Sequence, residues 1–305
     1  MKRSTRKRIE RGQAGQPAAP AVSREDAMAM LAAGVDALES SEQWQAWLNV
    51  ASRFRTYSWG NQLLIAIQAP HASHVAGFHA WLKMNRYVRK GEKGIRILAP
   101  CVYRAKQTAQ ESHQGADSED TAQEPASEPT AVLRGFTVVS VFDVAQTDGE
   151  PLPEIPVHRL TGNEGAPIYA RLLALAQSEG LTVGSDPGDP MMATEANGYV
   201  VYAERRVWLR PGLAMAQRCK TLAHELGHWF SRDMQLDRPS AEVLAESVAY
   251  LTMAAAGIDS GQYSFGYLAS WTRDRKQREA IMQAAGHIAD SLIAGILPGL
   301  VEAAA

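Results

Sequence analysis

Apolar residues recur every three to four positions along much of this chain and every second position in a few short stretches, which predicts helices with a smaller set of strands. Ser23-Arg24-Glu25-Asp26 reads as a helix start, and Ala27, Leu31, Val35 and Leu38 follow on one face. A second helix begins near Ser41 and carries Trp44, Trp47, Leu48 and Val50. A third runs from Ser58 through Leu63, Leu64, Ile65 and Ile67 to Pro70, and Phe78, Trp81 and Leu82 mark a fourth. The period then changes. After the turn Gly91-Glu92-Lys93-Gly94, the segments Ile95 to Lys106 and Gly135 to Ala145, rich in Val, Ile and Phe, read as paired strands. Helical spacing returns from Pro167 to Ser178. Leu181 to Val183 is a short strand, Asp186 to Pro190 a loop, and Gly198 to Tyr202 with Arg206 to Arg210 a hairpin. Helices are expected from about Leu213 to Asp233, from Pro239 to Gly257, from Ser264 to Trp271 and from Lys276 to Ile296.

The helix from Leu213 contains the one stretch with concentrated chemistry, His224-Glu225-Leu226-Gly227-His228. Residues four apart lie on one helix face, so His224 and His228 can hold one ion between them. Glu225, roughly 100° round the helix, borders the ion's open side and can take a proton from water there. Two His on a solvated helix would be the plainer reading. Against it, Ala216, Cys219, Leu222, Ala223, Trp229 and Phe230 make this a largely buried helix, where unpaired polar groups are costly. A catalytic zinc takes three protein ligands and keeps one position for water. In the next helix Glu242 and Glu246 are again four apart, and an antiparallel return brings both opposite the His pair. Spacing leaves either able to be the third ligand. One divalent ion is therefore expected. Zinc suits two imidazoles and a carboxylate, and manganese, iron or cobalt could take the same donors.

Composition narrows the setting. The 305 residues are enough for about two domains with real cores. No apolar run reaches the roughly 18 residues of a membrane span, and the charged N-terminus lacks a following signal core. No membrane partner is expected. Cys101 and Cys219, far apart in sequence, suit free thiols in a reducing cytoplasm. The net charge of −2 is unevenly spread: residues 1–11 hold six of the 31 basic residues against Glu10, which leaves 25 basic and 32 acidic residues in the remainder. A disordered basic tail is expected over 1–22. A disordered acidic insertion within the hairpin is expected over 107–130.

A second candidate site lies in the first half. Lys83, Arg86, Arg89, Lys90, Lys93 and Arg96, interrupted by Glu92, are interleaved with Phe78, Trp81 and Tyr87; Arg53, Arg55, Tyr57 and Trp59 form a second such group. Cations that follow phosphates, with aromatic faces that stack on bases, are what single-stranded nucleic acid requires. A solvated turn with core aromatics is the alternative. Phe78 and Trp81 read as core residues, and Arg86, Arg89, Lys90 and Lys93 as phosphate contacts. His71, His74, His79 and His287 are not expected to bind metal.

The block from Phe54 to Pro70, which includes Asn61, followed by Val75 to Trp81 and Val88 to Pro100, resembles the N-terminal domain of the ArdC antirestriction family. In that family a single-stranded-DNA-binding domain precedes a zincin-like metallopeptidase domain, and members are carried by conjugative plasmids. The resemblance covers about residues 24 to 275. It implies an α+β protein of two domains: 23–147 for single-stranded DNA, with Arg53, Arg55, Tyr57, Trp59, Asn61, Lys83, Arg86, Tyr87, Arg89, Lys90, Lys93 and Arg96 as contacts; a proline-rich linker over 148–156; and a zincin-like domain over 157–305. Glu242-Val243-Leu244-Ala245-Glu246 is similar to zincin patterns in which the first carboxylate binds metal and the second supports a ligand His. On that resemblance Glu242 is the ligand and Glu246 the support, with Glu225 catalytic. The implied protein is an antirestriction factor with a peptidase-like site and an unknown protein or peptide substrate. A metalloprotease that cleaves a regulatory protein, and a DNA-occluding binder whose metal is structural or regulatory, are the alternatives.

Overall fold

The computed structural model describes residues 23–38, 40–104, 131–152, 165–258 and 274–297. The expected basic tail, acidic insertion and helix from Ser264 to Trp271 fall outside them, as does the linker beyond Leu152.

The fold is mixed α and β, and it opens with three capped helices: α1 (Arg24–Ala37), α2 (Ser41–Arg53) and α3 (Trp59–Gln68). Ser23, Ser40 and Ser58 each accept from a backbone N–H in the first turn, and the first two form capping boxes with Asp26 and Gln43. Next come β1 (Val75–Gly77), α4 (Phe78–Lys83), β2 (Arg86–Val88), β3 (Ile95–Arg104), β4 (Ala131–Asp143) and β5 (Thr147–Gly149). β3 and β4 form the expected antiparallel hairpin, with Ile95 opposite Val141 and a bulge between Cys101 and Val102. β1 adds to the far side of β4. The sequence pattern missed β1 and the pair β2–β5, whose segments are short and carry no run of β-branched or alternating apolar residues. Asp148 and Gly149, expected to start the linker, belong to β5.

The second half holds α5 (Ala166–Ser178), β6 (Thr182–Gly184), β7 (Gly198–Val201), β8 (Arg206–Leu209), α6 (Met215–Ser231), α7 (Arg238–Ala255) and α8 (Arg275–Ile296). β8 is central, antiparallel to β7 and parallel to β6. Its Val207, Trp208 and Leu209 are all buried, as expected of a strand covered on both faces. Among the described residues, no helix is long and apolar enough to cross a membrane.

The helices of the two halves share one core. Leu31, Val35, Trp44, Trp47, Leu48 and Leu64 pack in the same cluster as Leu222, Leu226, Leu244, Val248 and Ile293. Polar groups follow the same seam. The Trp44 indole donates to Ser247 Oγ at 2.9 Å, and the buried Arg278 donates to the carbonyls of Val35 and Asp36, at the C-terminus of α1, at 3.1 and 2.9 Å. A cation there meets the negative end of the helix dipole. A smaller cluster of Val50, Phe54, Ile65, Ile95, Ile97 and Val141 joins α2 and α3 to the hairpin.

Candidate metal centre

Helix α6 buries Cys219, Leu222, Ala223, Leu226 and Trp229 and turns His224 and His228 the other way. The two imidazoles meet edge to face, with Nε2 to Nε2 at 3.1 Å. A short 3-10 turn, Arg232–Met234, and left-handed Gln235 at φ 51° reverse the chain, and Asp237 caps α7 by accepting from Ser240 N. α7 then returns antiparallel along α6. The helices come close at Gly227, where an added Cβ would stand 2.9 Å from Ala245 Cα. That approach carries the α7 carboxylates to the imidazoles.

The two carboxylates take different places. Glu242 Oε2 lies 3.4 Å from His224 Nε2 and 3.6 Å from His228 Nε2, and one ligand atom from each of the three residues falls within 4.8 Å of the others. Donors about 2.1 Å from one tetrahedral ion stand about 3.4 Å apart. The set therefore fits a small divalent cation with a side open. Glu246 instead lies behind His224: its Oε2 is 3.1 Å from Nδ1, and its Oε1 is 3.0 Å from Lys220 Nζ.

Charge in the site favours a cation. The imidazoles of His224 and His228 hold the Glu242 carboxyl well below the usual carboxylate range. Burial opposes ionisation of Glu246, and His224 with Lys220 overcomes it. Burial likewise presses His224 toward neutrality, but Glu242 and Glu246, with Glu225 nearby, outweigh it and lift the imidazole to about 10. Glu225 behaves oppositely. Burial pushes its carboxyl up, and Glu242 adds to this against the pull of the two His. A raised carboxyl is the better proton acceptor. Glu225 sits under the start of β7, where a Cβ on Gly198 would lie 3.0 Å from its Oε1 and 2.6 Å from Thr221 Cγ2. A polar cavity of about 190 Å³ opens beside it, lined by Asn197, Gly198, Gln217, Lys220, Thr221, His224, Glu225 and Glu246.

Two residues of this region were not among the candidates. Lys220 stands four residues before His224, so the spacing that singled out the His pair also reaches it. Tyr202, in the turn after β7, stacks on Trp229 and points its hydroxyl at the His228 carbonyl, 3.4 Å away. No sequence spacing announces that contact.

The candidate DNA residues separate into two groups. Arg53 donates to the carbonyls of Asn49, Pro70 and Ala72. Asn61 pairs both ways with the Leu98 backbone, at 2.8 and 2.9 Å, as Gln68 does with Arg96. These two amides, two turns apart on α3, cover the free edge of β3. Arg86 is buried, its guanidinium donating to Thr147 Oγ1 and to the carbonyls of Thr147, Gly149 and Glu150. Asn61 and Arg86 are thus buried and bonded within the protein, whereas Arg53 makes its carbonyl bonds from an exposed position. Tyr57 donates to the Val75 carbonyl, Trp59 packs against the core, Arg55 pairs with Asp290 and Arg96 donates to Ser140 Oγ. Lys83, Tyr87, Arg89, Lys90 and Lys93 are exposed as well. Tyr87 is 60 % exposed, and Arg89 is tied to Glu92 and Asp148.

Residues 26–139 match the model of the N-terminal domain of anti-restriction factor ArdC. An uncharacterized protein of Bacillus anthracis is 24 % identical over 271 residues, which are 79 % of this chain and 45 % of that protein, so the chain spans less than half that relative's length. Two crystal structures of the antirestriction ArdC protein from the R388 plasmid have a similar fold. The metal-free one aligns with TM-score 0.55 and 21 % identity over 88 % of this chain and 98 % of its own. The Mn(II)-bound one aligns with TM-score 0.53 and 18 % identity over 88 % and 99 %.

Proposed function

We propose that this chain, whose residues 26–139 match the N-terminal domain of anti-restriction factor ArdC, is a member of that antirestriction family and protects entering DNA by binding single strands and by a metal-dependent peptidase-like site. The observation that carries the second half is the convergence of His224, His228 and Glu242 at 3.1 to 3.6 Å with Glu225 alongside. In this reading residues 157–305 are a zincin-like domain, 23–147 the DNA-binding domain and 1–22 a basic tail, in a cytoplasmic protein. His224 Nε2, His228 Nε2 and Glu242 hold the ion, and Glu246 accepts the Nδ1 proton of His224. A divalent ion has support from the Mn(II)-bound relative, while two imidazoles and one carboxylate suit zinc as well.

When bound, such an ion polarises a carbonyl and acidifies a water. Glu225, desolvated and outside the ligand set, removes the water's proton and returns it to the leaving amine. The edge of β7 offers an extended peptide a strand to pair with. Lys83, Tyr87, Arg89, Lys90 and Lys93 supply phosphate contacts and a stacking face for DNA.

The test compares protection of incoming DNA by the wild type and by Glu225→Ala, with single-strand binding measured on both. Loss of protection with binding intact supports hydrolysis. Full protection by the variant would leave a DNA-occluding binder whose metal is structural or regulatory.

A further inference from the structure

We infer that Lys220 is a positioning residue for the metal centre: through Glu246 it fixes the orientation of His224 that leaves Nε2 for the ion. The inference rests on the reading of His224 as a metal ligand. Lys220, His224 and His228 lie at successive four-residue steps on one face of α6, and Glu246 reaches them from α7. The two oxygens of Glu246 are divided between them, Oε1 at 3.0 Å from Lys220 Nζ and Oε2 at 3.1 Å from His224 Nδ1. A carboxylate pinned at one oxygen cannot turn its other oxygen away without breaking the ion pair. An imidazole with a carboxylate on Nδ1 keeps the proton on that nitrogen when it gives up the one on Nε2, and so leaves Nε2 free for an ion.

That nitrogen faces His228 Nε2 and Glu242 Oε2. Were the ring turned over, the donor set would lose one of its three members. Both side chains of the pair are shielded from water, at 11 and 12 % exposure, so solvent screens the contact little. The adjoining cavity leaves space for a longer cationic side chain at 220.

The experiment uses the full chain loaded with Zn(II), which is diamagnetic, and follows the histidine ring nitrogens and their protons by ¹⁵N NMR. In the wild type His224 should carry one ring proton, on Nδ1, slow to exchange with water. Lys220→Met should accelerate that exchange by about tenfold or more, and Lys220→Arg should restore it, which a role confined to fastening α6 to α7 would not require. Glu246→Gln should give the same acceleration, and adding Lys220→Met to it should change nothing further. Lys220→Gln, with the same expected result, replaces the Met variant if that chain does not fold. An unchanged Nδ1 proton in Lys220→Met, or a further acceleration in the double variant, would overturn the role of Lys220 and leave the metal site standing. Failure of the wild type to bind Zn(II) would instead overturn the metal-site reading together with the inference.

Discussion

Gly227→Ala places one methyl group where α6 and α7 touch. Its Cβ would stand 2.9 Å from Ala245 Cα, 3.3 Å from Ala245 Cβ and 3.4 Å from the Ala245 carbonyl oxygen. Carbon atoms at rest stand about 3.5 to 4.0 Å apart, so the helices must separate by at least about 0.6 Å. Overpacking of this kind costs about 1 to 3 kcal/mol. Alanine in place of glycine inside a helix returns about 1 kcal/mol, so net stability should fall by only about 0 to 2 kcal/mol. The metal site has less tolerance. Ala245 lies between Glu242 and Glu246, and a shift of about 0.5 Å is enough to spoil a preorganised ligand set. Mn(II) affinity, followed by electron paramagnetic resonance, should drop at least about tenfold, or 1.4 kcal/mol. Gly286→Ala on α8 is the control, because its Cβ would meet nothing within 4 Å. It should be neutral or stabilising by up to about 1 kcal/mol with metal affinity unchanged. If Gly227→Ala matches the wild type in both urea unfolding and Mn(II) affinity, the close approach of the two helices does not build the site.

Three further outcomes are expected. Glu225→Gln should bind Mn(II) as the wild type does and lose hydrolysis of any substrate found; loss of metal would make Glu225 a ligand. Charge reversal at Lys83 and Lys90 together should weaken single-strand binding and reduce its salt slope by about 0.7 per lost phosphate contact, measured by fluorescence titration at several salt concentrations, whereas an unchanged slope removes this turn from the interface. Arg86→Leu should act on stability, since it strands the buried acceptors of Thr147, its hydroxyl and its carbonyl. A buried acceptor left unpaired costs about 1 to 3 kcal/mol, and urea unfolding would read the loss; a variant as stable as the wild type would contradict the structural role.

The helices were legible because each carries its own period and its own stop and start residues, as Ser23, Ser58 and Pro70 do. The His224, Glu225 and His228 arrangement was legible for the same reason, since a helix converts spacing into geometry. Four kinds of feature were not. Strands of three residues, such as β2 and β5, show no alternation and are defined only by their partner. The fate of a cation depends on which carbonyls the fold brings to it, so Arg86 inside the protein and Lys90 outside it look alike in the sequence. The shared core is a third case: the apolar faces of α1 and α2 announce burial, but nothing in them names α7 and α8 as the surface they bury against. The placement of Glu242 and Glu246 depended on an interhelical register that Gly227 and Ala245 set by contact.

The most direct test of the metal centre is a Mn(II) titration of Glu242→Ala and Glu246→Ala, each against the wild type. Glu246→Ala should weaken binding about 10- to 100-fold, as loss of a group that supports a ligand does, and Glu242→Ala should weaken it more. Metal binding abolished in Glu246→Ala but retained at wild-type affinity in Glu242→Ala would contradict the assignment and exchange the two roles.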